Sequence, residues 1–92
     1  VCIQQSRLDW QEELDYLYNR LIKILPSNQA EAFRYAHIQW KRFVDAELGF
    51  SNLAYSSRLL PEYKLYAAEK HLQLIKNRVK ELEVFYWDFV GE

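Results

Sequence analysis

The sequence predicts an all-α fold, an antiparallel three-helix bundle with a long C-terminal helix. Three observations predict it. In FRYAHIQWKRFVDAE, Phe33, Ala36, Trp40 and Phe43 step by three, four and three along one side of a helix, while Arg34, Lys41, Arg42, Asp45 and Glu47 occupy most of the remaining circumference. A longer seam of the same kind runs through the last third of the chain, and two breaks, at Pro26 and between Gly49 and Pro61, divide the pattern into three. The 92 residues make one domain, 1–92, with material for a single modest core.

The first helix, about residues 7–25, carries Trp10, Leu14, Leu17, Leu21 and Ile24 at alternating steps of four and three, a narrow apolar seam that lasts until Pro26 removes a backbone donor. The break falls at Leu25 to Ser27. Asn28 followed three residues later by Glu31 has the form of a capping box, which sets the second helix at about 28–50. Gly49, and then an Asn and three Ser among unpatterned apolar residues from Ser51 to Leu60, suggest fraying into a loop. Pro61 suits the first turn of a third helix at about 62–89. Its seam comprises Leu65, Ala68, Leu72, Ile75, Val79, Leu82, Tyr86 and Phe89. At about 1.5 Å per residue this helix is about 42 Å long, enough to act as a spine for the other two. The short first turn makes helices one and two neighbours. A seam this regular also fits a coiled-coil dimer through helix three, so the expectation is a monomer or a weak homodimer.

Composition narrows the function. Half the residues are hydrophobic and 27% are charged, which suits a folded, soluble domain. Twelve Lys and Arg against thirteen Asp and Glu are spread over all three segments, so no positive field exists to grip phosphates and nucleic acid is not an expected partner. The longest apolar runs, such as Val84 to Trp87, fall far short of the roughly 20 residues of a membrane span, and no signal sequence is visible. No methionine occurs, so the expectation is a processed or trimmed start. Cys2 is the only cysteine and excludes an internal disulfide and a cysteine-based metal site. It reads as a spectator thiol, an intermolecular disulfide partner or a lipid-anchored cysteine, the last in conflict with Val1 preceding it.

No catalytic constellation emerges. His37 and His71 lie on different helices without acidic neighbours at metal-binding spacing, and Glu12, Glu13, Glu81 and Glu83 do not share a helix face within each pair. The expectation is a non-enzymatic chain with no cofactor and no metal. Trp40 and Asp45 read as structural, the first mid-seam and the second within reach of Lys41. Fifteen aromatics are many for this length, and Tyr16, Tyr35, Tyr55, Tyr63 and Trp87 fall off the seams, where they suit either a binding surface or the flanks of the core.

The order of these residues resembles the LprI-type lysozyme inhibitor domain, a family of small secreted or lipid-anchored bacterial helical proteins. Leu14, Tyr18 and Leu21 resemble its first helix, and Arg34, Ala36, Trp40, Phe43, Asp45, Ala46 and Glu47 its second. Arg78, Glu81 and Leu82 fit the third. The chain departs at three places: Val44 stands where an arginine is common, and Leu48 and about Lys70 stand where members have cysteines. Loss of both cysteines is what removal of one disulfide requires, so this chain reads as a divergent member.

The resemblance implies protein binding, with a lysozyme-like cell-wall hydrolase as partner and a periplasmic or secreted location, lipid-anchored or not. Such an enzyme works with two carboxylates in a cleft, and a blocking element needs a cation and aromatic area facing it. The connection Ser51 to Leu60 fits, with Arg58 approaching the carboxylates and Tyr55, Ser56 and Ser57 supplying contact and hydrogen bonds; a solvated crossover is the plainer reading. An immunity protein neutralising a secreted effector enzyme, or a structural helical adaptor, are the alternatives.

Overall fold

Leucine spacing and one proline decide the first hairpin. In a computed structural model of the chain, α1 spans Cys2–Ile24, α2 Ser27–Ser56 and α3 Glu62–Val90. The structure describes the backbone of residues 2–56 and 62–90 and the side chains of 3–55 and 65–90. The last helical bond of α1 runs from the Leu25 N–H to the Leu21 carbonyl at 3.0 Å, after which Pro26 has no N–H to continue the ladder. The Pro26 carbonyl then accepts from the Ala30 N–H at 2.8 Å and opens α2. This places Asn28 inside the first turn, one residue past the start, where the expected capping box does not form the boundary.

The helices run up, down and up. Lys76 lies over the Trp10 ring and Arg20 donates to the Tyr86 hydroxyl, both pairs 66 positions apart, so α1 and α3 are parallel. Phe33 stacks near Phe85, Arg78 lies over Trp40 and Lys70 pairs with Glu47, a descending register that makes α2 antiparallel to α3. The α1–α3 pairing is the most extensive, α2 rests chiefly on α3, and α1 meets α2 least. The long third helix is therefore the spine, as its seam predicts. With a radius of gyration of 15.6 Å and extents of 51 × 24 × 15 Å, the molecule is longer than a compact domain of its size, for which about 12 Å is usual.

One aliphatic seam forms the core. Leu14, Leu17, Leu21 and Leu25 of α1 close on Ile75, Val79 and Leu82 of α3, flanked by Trp10, Ala30, Phe33, Trp40 and Tyr86. Leu25 replaces the expected Ile24, which is exposed, because four residues on from Leu21 the chain is still helical and still turned inward. The ends of the α3 seam, Leu65 and Phe89, are partly exposed where the neighbouring helices no longer cover them.

The second helix departs most from expectation. Its inward face is Phe33, His37, Trp40, Val44 and Ser51, so Ala36 and Phe43 of the expected seam look outward. The sequence spacing leaves two overlapping faces of α2 open, and packing against α3 selects the one about 60° away. The helix also continues through Gly49 to Ser56, which corrects the loop expected from Ser51. Ser51 is buried and Tyr55 packs edge-on near Tyr66 of α3, with ring centroids 6.4 Å apart, so tertiary contact outweighs the low helix propensity of Gly and Ser.

Two substitutions test this account by urea denaturation. Leu14→Ala removes a fully buried side chain from the seam and is expected to cost about 2–5 kcal/mol. Gly49→Ala meets open space and an ordinary backbone, and is expected to gain up to about 1 kcal/mol; a loss would contradict a continuous α2.

Candidate protein-binding surfaces

Three features of the bundle present chemistry to solvent. The first is the end formed by the last turns of α2 and the first described turns of α3. Glu47 and Lys70 tie the helices together there at 2.9 Å, and beyond them Phe50, Leu53, Leu65 and Tyr66 are exposed. Tyr55 is half-buried with its ring against Tyr66. Of the residues that the sequence nominated, Tyr55 and the backbone of Ser56 thus belong to α2 rather than to a loop, while Ser57 and Arg58 lie outside the described residues. Helical geometry sets Tyr55 on the inward side of α2, so it acts as a support for this end as much as a contact.

The second feature is a shallow channel between α1 and α2 with α3 as its floor. One recess of about 320 Å³ is lined by Arg7, Leu48, Asn52, Ala67, Ala68 and His71. A second, about 160 Å³, continues past His71 between Gln11, Asp45, Trp40 and Ile75. The His71 imidazole is held below its ordinary pKa by burial and by Arg7, with Asp45 opposing. The third feature lies at the other end, where Leu25, Gln29, Ala32, Phe33, Phe85 and Phe89 surround an apolar recess of about 440 Å³. Its wall is a run of rings, Phe33 stacked near Phe85 at 6.4 Å and Phe85 near Phe89 at 4.9 Å.

Between these ends, His37 is enclosed by aromatic rings. Tyr18 lies 4.3 Å away, Trp40 5.8 Å and Phe33 6.5 Å, centroid to centroid. Its Nδ1 is buried without a hydrogen-bond partner, as is Nε of Arg78, whose guanidinium covers Trp40. Burial lowers the His37 pKa first, Lys41 and Arg78 lower it further, and Asp15 opposes them. The neutral ring therefore serves as one more aromatic plate. No cluster of three or more His, Cys, Asp or Glu suited to a metal occurs among the described residues, and no described helix is long and apolar enough to cross a membrane.

Of the off-seam aromatics, Tyr16, Tyr35 and Trp87 are exposed, Tyr55 is half-buried and Tyr63 lies outside the described side chains. The sequence reading missed Phe50 and Leu53 as surface residues. Their signal was present: with Phe43 and Ala46 they repeat at steps of three, four and three on the side of α2 opposite Val44 and Ser51.

One comparison bears on function. The family model described as Lysozyme inhibitor LprI matches residues 1–82, which include all of α1 and α2 and most of α3. Comparison with curated proteins and with solved structures gives no match.

The buried imidazole generates a pH prediction. Because folding lowers the pKa of His37, and of His71 in the same sense, the unfolded chain binds protons first. Stability is therefore complete above about pH 6.5 and falls as the pH drops through that value toward the folded pKa. Urea midpoints measured between pH 8 and pH 5 are expected to decline, and His37→Phe to flatten that decline; an equal decline in the variant would remove His37 as its source.

Proposed function

We propose a function from one premise: the chain belongs to the family of the lysozyme inhibitor LprI, whose model covers most of its length. It is a protein-binding domain of the bacterial envelope that blocks a lysozyme or a related cell-wall hydrolase by occupying the cleft. The family match carries this reading. The surface chemistry of the α2–α3 end supports it, because exposed Phe50, Leu53 and Tyr66 supply the aromatic and aliphatic area that anchors interfaces.

In this reading Tyr55, Ser56, Ser57 and Arg58 form the blocking element. Arg58 meets the hydrolase carboxylates, where an always-charged planar donor pairs with both oxygens of one group. Ser56 and Ser57 add hydroxyl hydrogen bonds, and Tyr55, braced by Tyr66, sets where α2 ends and the connection begins. Steering of a cation toward an acidic cleft raises the association rate and makes it salt-dependent.

A cell-wall lysis assay with lysozyme tests this. Arg58→Ala is expected to raise the half-inhibitory concentration at least about tenfold, and Arg58→Glu further, with unchanged far-UV circular dichroism. Inhibition that survives both changes places the contact elsewhere on the bundle, and a wild-type chain that slows no cell-wall hydrolase overturns the function itself.

A further inference from the structure

All three helices meet at one polar and aromatic layer, and a histidine lies at its centre. His37 of α2 is 5% exposed, with the Tyr18 ring of α1 at 4.3 Å and the Trp40 and Phe33 rings of α2 at 5.8 and 6.5 Å, centroid to centroid. Tyr18 also meets Phe33 at 5.4 Å, so one ring of α1 covers both residues. These contacts lie at the least extensive of the three helix pairings, where α1 meets α2.

A neutral imidazole suits this place and a charged one does not. Nδ1 is buried without a hydrogen-bond partner among the described residues, which a neutral ring tolerates by leaving a lone pair there and its proton on Nε2. Protonation sets an N–H at Nδ1 among rings, with no acceptor to receive it. The surrounding charges oppose it as well. Lys41 lies one turn on along α2, and Arg78 of α3 covers Trp40 at 6.0 Å with its own Nε buried and unpartnered. An outer nitrogen of Arg78 meets Glu81 at 3.8 Å, and Asp15 of α1 is the carboxylate that favours a charged ring.

We infer that His37 is an acid-sensitive latch: a proton on its ring frees the first half of α2 from α1 and α3, while the α1–α3 seam stays closed. A charged ring finds water for both nitrogens only by leaving the layer, and it leaves only where α2 lifts. The seam itself, Leu14, Leu17, Leu21 and Leu25 against Ile75, Val79 and Leu82, contains no titratable group. Beyond the imidazole, Val44, Ser51 and the Glu47–Lys70 pair hold the second half of α2 in place. A freed imidazole titrates near about 6.5, so at about pH 5 protonation favours the lifted state by up to about thirtyfold. His71 is half-buried and lines the open channel, so its protonation requires no such movement.

Native-state hydrogen exchange of the full chain at about pH 7.5 and pH 5.0, corrected for the intrinsic pH dependence of amide exchange, reads the lift segment by segment. Residues 30–44 are expected to open at least about tenfold more often than the seam residues 14–21 and 75–82 at both pH values. Their opening is also expected to be about five- to thirtyfold more frequent at the lower pH. His37→Phe abolishes this acid effect and His71→Gln keeps it. Asp15→Asn increases the effect and Lys41→Gln reduces it, by about twofold each, because both side chains are exposed and act on the ring through charge alone. That pair carries the test if His37→Phe does not fold. Equal protection in all three helices overturns the inference, because opening is then global unfolding. So does protection of residues 30–44 that is the same at both pH values, an acid effect that survives His37→Phe or vanishes in His71→Gln, or a shift of the same sign in Asp15→Asn and Lys41→Gln.

Discussion

The structure depends on the aliphatic seam between two parallel helices, α1 and α3. Leu14, Leu17, Leu21 and Leu25 meet Ile75, Val79 and Leu82, which contribute nearly all the fully buried aliphatic volume. Parallel packing of the first and last helices requires a third element that carries the chain back across the whole length of the molecule, and this explains the 30 residues of α2. The hydrophobic gain per residue is therefore unequal. Helices α1 and α3 supply the burial, and α2 is held mainly by rings and by the Glu47–Lys70 pair.

That division explains which features were legible in the sequence. The α1 and α3 seams each have one apolar face, so Leu14, Leu21, Ile75 and Val79 read unambiguously as core, and Pro26 marks a break that no packing repairs. Helix α2 has apolar residues on two faces. Phe33, Ala36, Trp40 and Phe43 straddle the border between them, and only the position of α3 turns Phe33 and Trp40 inward and Phe43 outward. Gly49 and Ser51 lower helix propensity, yet α2 continues to Ser56 with Ser51 buried and Tyr55 against Tyr66, so the local signal pointed to a loop where the fold makes a helix. The nominated site shares this limit: Tyr55 was nominated by its position near a connection, while its role as a brace follows from its contact with Tyr66 on another helix.

His37 shows how α2 manages with little aliphatic burial. Its imidazole sits tilted by 31° over the Tyr18 ring and between Phe33 and Trp40, extending a series of rings from α1 to α2. The cost is a buried ring nitrogen without a partner. Arg78, lying over Trp40 from α3, closes the same series with a cation, so all three helices meet at one polar and aromatic layer.

The Glu47–Lys70 pair joins α2 to α3 beside Leu48. A covalent crosslink there would bind the end of the bundle to the oxidising power of its compartment. An ion pair between half-exposed side chains makes this joint indifferent to thiols and reductants, and responsive instead to ionic strength. The end of the molecule that carries Phe50, Leu53 and Tyr66 is thus joined in the same way in a reducing medium as in an oxidising one.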